Sequence, residues 1–352
     1  KNKMMDAKKE LVDLKEQISK QLQPNEDLAL SYKKKANEVS KYHNLQLAKK
    51  ICLNSLYGAI GNSYCRWYSL DFAEAITLSG QLAIRYVENS INEYLNKILK
   101  TNKDYVIAVD TDSVYINFDP IVNLFLKDRT HDEKIRLIDK ICNEQIGPYI
   151  DKSYDELAAY MSAYENKMSM KRESIADRGI WTAKKRYILH VHDSEGVRYA
   201  EPKLKVMGIE AVRSSTPGSC RSKIKEALKI IMTKEEKDLI DFVAKFREEF
   251  FKMSPDQIAF PRSINGLPKY KDRTSVYKKG SPIQVRGSLL YNYYLNKLNL
   301  HNSYREIYEG EKIKFLYLKE PNVIHDDVIS FPSELPKEFN LHDSIDYAKQ
   351  FQ

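Results

Sequence analysis

Residues 105–118 read Tyr105-Val106-Ile107-Ala108-Val109-Asp110-Thr111-Asp112-Ser113-Val114-Tyr115-Ile116-Asn117-Phe118. Tyr105 to Ala108 and Val114 to Phe118 have the length and apolar content of short strands. The stretch therefore predicts a β-hairpin with Asp110 and Asp112 at its tip. A carboxylate beside a buried strand end is costly unless it is paired or ligates a metal. Two carboxylates close together repel, and that repulsion favours a bound cation. Mg2+ suits such a tip, because it takes oxygen ligands and keeps waters and substrate phosphates in its shell. The same residues also suit a solvated turn in which aspartate accepts from backbone amides. A calcium loop does not fit, because its glycine and distal glutamate are missing.

Towards the N-terminus, Lys50-Ile51-Cys52-Leu53-Asn54-Ser55-Leu56-Tyr57-Gly58 closes a long helical pattern over 26–57. Lys50, Asn54 and Tyr57 are four and three residues apart, so they share one helix face. The lysine can neutralise a triphosphate and the asparagine can bond a sugar, a base or a neighbour. The tyrosine offers a flat surface beside a base pair. Leu53, Leu56 and Ile60 are expected to support the other side, and Gly58 lets a backbone approach without a Cβ. An amphipathic helix ending at glycine carries the same pattern with no ligand at all. Residues 1–20 predict a further helix with Leu11, Leu14 and Ile18 near one face, and Gln23-Pro24-Asn25 a turn. Together these segments suggest an antiparallel helical hairpin with a basic surface.

Towards the C-terminus, Gly58 and Gly61 flank an expected break. Phe72, Ile76, Leu82, Val87, Ile91, Leu95 and Leu99 then recur at helical spacing. Residues 133–146 and 153–166 read as helices. The stretch 168–209 reads as strands of a mixed sheet with helices against it. Ser214-Ser215-Thr216-Pro217 reads as the cap and start of a helix over 217–231, and 235–252 as another. Residues 253–300 are loop-rich and basic, with a helix near 288–296; short strands follow near 312–318. The fold class is α+β, divided at 1–60, 61–212 and 213–352.

The 352 residues suffice for two or three packed units. No apolar run approaches the roughly 20 residues needed to cross a bilayer, so no membrane partner is expected. Cys52, Cys65, Cys142 and Cys220 are scattered without a Cys-x-x-Cys pair. Neither a zinc site nor a disulfide framework is indicated, and a reducing cytosolic setting fits. The formal net charge of +8 agrees with a polyanionic partner. Many of the 24 tyrosines neighbour a lysine or arginine, a pairing that can serve sugar, base and phosphate or simply pack on a surface.

Three more groups have chemical promise. Lys184-Lys185-Arg186-Tyr187 places three cations before an apolar strand, where they could grip a nucleic-acid backbone or merely guard a strand edge. Lys269, Lys278, Lys279 and Arg286 could extend that track along a duplex. Glu173, in Met170-Lys171-Arg172-Glu173, could approach the acidic hairpin or form a simple ion pair.

With these residues in place, the chain resembles the C-terminal half of a family B replicative DNA polymerase of the T-even bacteriophage type. Lys50 to Gly58 is similar to that family's fingers helix. Asp110-Thr111-Asp112-Ser113 is similar to its palm motif, and Lys184-Lys185-Arg186-Tyr187 to its primer-template motif. Ala200-Glu201-Pro202-Lys203-Leu204-Lys205, Met207-Gly208-Ile209-Glu210, Ser214-Ser215-Thr216-Pro217 and Ile283-Gln284-Val285-Arg286-Gly287 extend the likeness in one order. The resemblance implies fingers over 1–60, palm with an antiparallel sheet and packed helices over 61–212, and a mostly helical thumb with a loop-rich tip over 213–352. It implies Asp112 as principal metal ligand with Asp110 beside it, Glu173 close by, and two Mg2+ ions in the complete site. Lys50, Asn54, Tyr57 and Gly58 would meet the incoming deoxynucleoside triphosphate, and Lys3 matches a further fingers lysine. Implied partners are primer-template DNA, an N-terminal polymerase and exonuclease portion, and a sliding clamp reached through a tail not evident after Gln352. The implied location is the cytoplasm of a bacterial host.

Three departures stand out. Val109 replaces a glycine before the first aspartate, and Lys171 stands where relatives tend to carry an acid near Glu173. The family's first palm motif, with its essential aspartate, lies upstream. The chain alone is therefore expected not to catalyse synthesis. A noncatalytic primer-template-binding subunit or inactive fragment is the alternative. A reverse transcriptase or RNA polymerase fits less well, since the accompanying fingers helix and basic strand are not theirs.

Overall fold

A computed structural model describes residues 2–19 and 26–352, and the expected turn at Gln23-Pro24-Asn25 lies outside them. The chain falls into two compact units. The first comprises Lys1–Asp177 and His190–Lys203, the second Arg178–Leu189 and Leu204–Gln352. No described helix is long and apolar enough to cross a membrane.

The first unit opens with α1 (Asn2–Ser19), α2 (Glu26–Ile60) and α3 (Leu70–Leu99). Met4 and Ala7 of α1 are buried, and Lys35 on α2 reaches Glu10 at 2.6 Å and Glu38 at 2.7 Å. Contrary to the expected break, α2 runs through Gly58 to Ile60, and Ser69 then caps α3 by accepting from the Phe72 N–H. From residue 83 onward α3 buries Ala83, Ile84, Val87, Ile91 and Leu95, whereas before it Ala73 is buried and Phe72, Ile76 and Leu82 are exposed. The hairpin β1 (Val106–Asp110) and β2 (Ser113–Ile116) docks on that later stretch. Asn92 accepts from the N–H groups of Tyr105 and Val106 at 2.8 and 3.0 Å, which fixes where β1 begins.

After α4 (Asp119–Phe125), α5 (His131–Ile141) passes through one π turn, Cys142–Ile146, directly into α6 (Gly147–Tyr160). The sequence predicts separate helices over 133–146 and 153–166, whereas the structure joins them without a gap through Gly147-Pro148 and ends the second at Tyr160. Proline is tolerated at a helix start, where its missing N–H has no partner to lose. Ile146, Ile150, Tyr154 and Leu157 complete the core beneath the hairpin.

Strands β3 (Ser174–Ala183), β4 (Arg186–Ser194) and β5 (Val197–Met207) form one three-stranded sheet in that order. Two-residue connections at Lys184-Lys185 and Glu195-Gly196 make them consecutive hairpins, so the β structure is a set of small antiparallel sheets and not one mixed sheet.

The second unit adds α7 (Gly218–Thr233), α8 (Glu236–Phe250), α9 (Pro255–Ile258), β6 (Phe260–Ser263), α10 (Leu267–Tyr270), α11 (Ile283–Lys297), β7 (Lys312–Tyr317), β8 (Val328–Phe331) and α12 (Tyr347–Phe351). The antiparallel sheet β6-β7-β8 shares its core with α11, so this segment is less helical than expected. Pro217 holds the N-cap position of α7 without a side-chain bond, so Ser214 to Thr216 do not cap it. Helix α11 starts five residues earlier than the sequence reading placed it. Its Gly287 lies inside the helix, where a Cβ would stand 2.5 Å from Ser330 Oγ and 2.7 Å from Ser330 N. This glycine is a close-packing residue against β8 and not a loop marker.

Candidate functional site

The acidic hairpin forms as the sequence predicts. Asp110 pairs with Ser113 and Val109 with Val114, leaving Thr111 and Asp112 as a two-residue tip. The Asp112 N–H donates to the Asp110 carbonyl at 2.6 Å, which makes the turn very tight. Thr111 sits at φ 51°, a left-handed conformation that β-branched residues rarely adopt. Its hydroxyl donates to Asp110 Oδ1 at 3.2 Å, and the Ser113 hydroxyl to the Asp110 carbonyl at 3.1 Å. Asp112 is exposed and Asp110 half-buried. Burial first, then the charges of Asp151 and Asp112, raises the Tyr154 phenol above its ordinary value, so the Asp112 field reaches the core below. The donor set is all oxygen with solvent access, which suits a hard cation such as Mg2+.

Val109 packs against the core of this unit, with its partner Val114. Side chains alternate along a strand, so the valine occupies the face opposite Asp110. The departure from glycine thus adds core contact within this chain. Glu173 is exposed, and among the described residues it does not join Asp110 and Asp112 in a three-ligand cluster. Its neighbour Arg172 is structural: its side chain is 9% exposed, it reaches Asp139 at 2.5 Å, and it also bonds Asp193.

Lys50, Asn54 and Tyr57 lie exposed on α2, and Lys3 exposed on α1. Gly58 faces open space, with nothing within 4 Å of where a Cβ would stand. The expected support from Leu53 and Leu56 is absent: they are 69% and 53% exposed, and α2 buries no residue. Trp67 and Phe72 are likewise exposed, at 68% and 69%.

In the second unit, Lys184 and Lys185 form the tip of the β3–β4 hairpin, both exposed, with Lys185 at φ 61°. Of the two residues that follow, Arg186 is half-buried and Tyr187 buried. Arg186 Nη2 bonds both carboxylate oxygens of Glu210 at 2.6 Å, and Tyr187 is buried and stacked on Trp181 at 6.2 Å. Gly208, at φ 66°, lets the chain pass the tip, since a Cβ would lie 2.1 Å from the Lys185 carbonyl. Two motifs quoted separately from the sequence therefore form one structure. Glu210 and Gly208 act as supports that sequence reasoning missed, although the glycine was a signal.

Further along, Lys269 and Lys279 are exposed, and Lys278 Nζ bonds the Lys269 carbonyl at 2.8 Å. Arg286 does not extend a loop. It sits in α11, pairs with Asp327, and lies 3.4 Å from Asp326. With Ser275, Tyr277, Lys279, Gly280 and Ser281 it lines an open recess of about 390 Å³.

The family model for DNA polymerase family B matches residues 9–124, a span that holds both the α2 face and the acidic tip. The DNA-directed DNA polymerase of Enterobacteria phage T4 is 37% identical over 322 residues, covering 87% of this chain and 35% of that protein. This chain belongs to DNA polymerase family B. The DNA-directed DNA polymerase of Escherichia phage RB69 is 36% identical to this family B chain over 313 residues, covering 84% of it and 34% of the relative. The DNA polymerase alpha catalytic subunit of Leishmania donovani is 32% identical over 108 residues, 31% of this chain and 7% of that protein. The family B chain thus spans about a third of the length of its phage relatives.

Proposed function

We propose that this family B chain contributes fingers, palm and thumb residues to a DNA-directed DNA polymerase that extends primers on template DNA. The observation that carries the reading is the presence, in one compact unit, of an exposed Lys50-Asn54-Tyr57 face and of a hairpin tip with Asp110 half-buried and Asp112 exposed. Asp112 and Asp110 would hold Mg2+, with Lys50 near the triphosphate and Asn54 and Tyr57 beside the nascent pair. Bound there, Mg2+ would activate the primer 3′-hydroxyl and neutralise the leaving pyrophosphate. Lys184 and Lys185 would meet backbone phosphates, contacts that position DNA without reading its sequence. An N-terminal portion, in the same or a separate chain, would supply the other catalytic aspartate and cover the exposed apolar side chains of α2 and α3.

Primer extension with Mg2+ tests this, with and without that N-terminal portion. The expected result is extension in the mixture only, abolished by Asp112→Ala. Extension by this chain alone would overturn the need for the second aspartate. Salt-sensitive DNA binding without extension in either case would favour the noncatalytic alternative.

A further inference from the structure

Three of the seven histidines converge with one aspartate in the first unit, far in sequence from the acidic tip. His131 is the first residue of α5, and Asp177 lies on β3. His190 and His192 are two apart on β4 and so share a face. His131 Nε2 lies 3.3 Å from His192 Nε2 and 3.4 Å from its Nδ1. His192 Nε2 lies 3.1 Å from Asp177 Oδ1, and His190 Nδ1 lies 2.7 Å from the same oxygen. The ligand atoms of His131, Asp177 and His192 all fall within 4.8 Å of one another.

These separations have a chemical reading. In a tetrahedral zinc site with bonds of about 2.0–2.1 Å, neighbouring donor atoms stand about 3.3 Å apart. Simple charge pairing explains His190 on Asp177. The third imidazole meets the second in a nitrogen-to-nitrogen hydrogen bond at 3.3 Å, one ring donating and the other accepting, and the same separations put both rings and Asp177 within reach of one cation. The elements holding the cluster are braced. Thr130 and Glu133 form a capping box at the start of α5, and Arg198 on β5 reaches Asp132 at 3.4 Å.

We propose that His131, Asp177 and His192 bind a divalent transition cation, Zn2+ in first place, that ties the start of α5 to β3 and β4. His190 orients the ligand carboxylate by its hydrogen bond, and water completes the tetrahedron. The imidazole-rich donor set distinguishes this site from the all-oxygen tip at Asp110 and Asp112.

The test uses the tag-free full chain, stripped with a chelator and titrated with Co2+. One equivalent is expected to give the visible absorption of tetrahedral Co2+, displaced by one equivalent of Zn2+. His131→Gln and His192→Gln should each weaken Zn2+ binding by about tenfold or more, and His190→Gln by about tenfold, in competition with a chromophoric chelator. The doubly substituted Asp110→Asn, Asp112→Asn chain should keep the Co2+ spectrum. Zn2+ should raise the melting temperature of the native chain and leave that of the folded His131→Gln, His192→Gln chain unchanged. Two results would overturn the site: no tetrahedral Co2+ signal in the native chain, or an undiminished one in that folded double variant.

Discussion

The two charged hairpin tips of this chain are built in opposite ways. The acidic tip, Thr111-Asp112, is folded by its own turn: a 2.6 Å backbone contact and two hydroxyl bonds to Asp110. The basic tip, Lys184-Lys185, is braced from more than twenty residues away by Gly208 and Glu210. Both carry a non-glycine residue at positive φ, Thr111 at 51° and Lys185 at 61°. Strain of this kind persists only where the surroundings impose it. The difference teaches that the proposed metal site would rest on the short-range geometry of two carboxylates, whereas the proposed phosphate contact would rest on a rigid mount under exposed lysines.

The largest expected effect comes from the acidic tip's exposed carboxylate. Asp112→Asn should lower extension in the reconstituted mixture by roughly 10³-fold while leaving the thermal melt in place, since that side chain faces solvent. A small loss of extension would remove Asp112 from the centre of the site.

Next is the mount of the basic tip. Gly208→Ala combines a left-handed φ with a 2.1 Å clash, and should destabilise the second unit by about 2–3 kcal/mol in denaturant unfolding. An unchanged midpoint would mean that the tip is not held from below. Lys184→Ala leaves that mount intact. It should reduce the slope of log affinity for primer-template against log salt by about 0.9, the signature of one lost phosphate contact. An unaltered slope would leave Lys184 outside the DNA interface.

The smallest effect is a gain. Thr111→Gly relieves a β-branched residue at φ 51° and should stabilise the first unit by roughly 0.5–1 kcal/mol. A loss of stability would show that the hydroxyl bond to Asp110 outweighs the backbone strain.

Much of this was legible in the sequence, for physical reasons that differ by element. Helix α3 announced itself through the periodicity of its apolar residues, and the acidic hairpin through two apolar runs around four polar residues. The direct passage of α5 into α6 was hidden because a π turn absorbs the Gly147-Pro148 signal. The early start of α11 was hidden because Gly287 is a packing glycine, and its reason, Ser330, lies 43 residues on. The grip of Glu210 on Arg186 is a tertiary pairing that no local pattern encodes. The histidine cluster left one trace: His190 and His192 alternate on a strand, a spacing that puts two imidazoles on one face. Its remaining members come from other elements.

The exposure of Leu53, Leu56, Trp67 and Phe72 has a practical consequence. Large apolar side chains left in water favour self-association when nothing covers them. Produced by itself, the chain should leave solution as its concentration rises, and co-production with the covering portion should restore its yield. Recovery in the soluble fraction thus becomes a readout of assembly that needs neither nucleotide nor DNA.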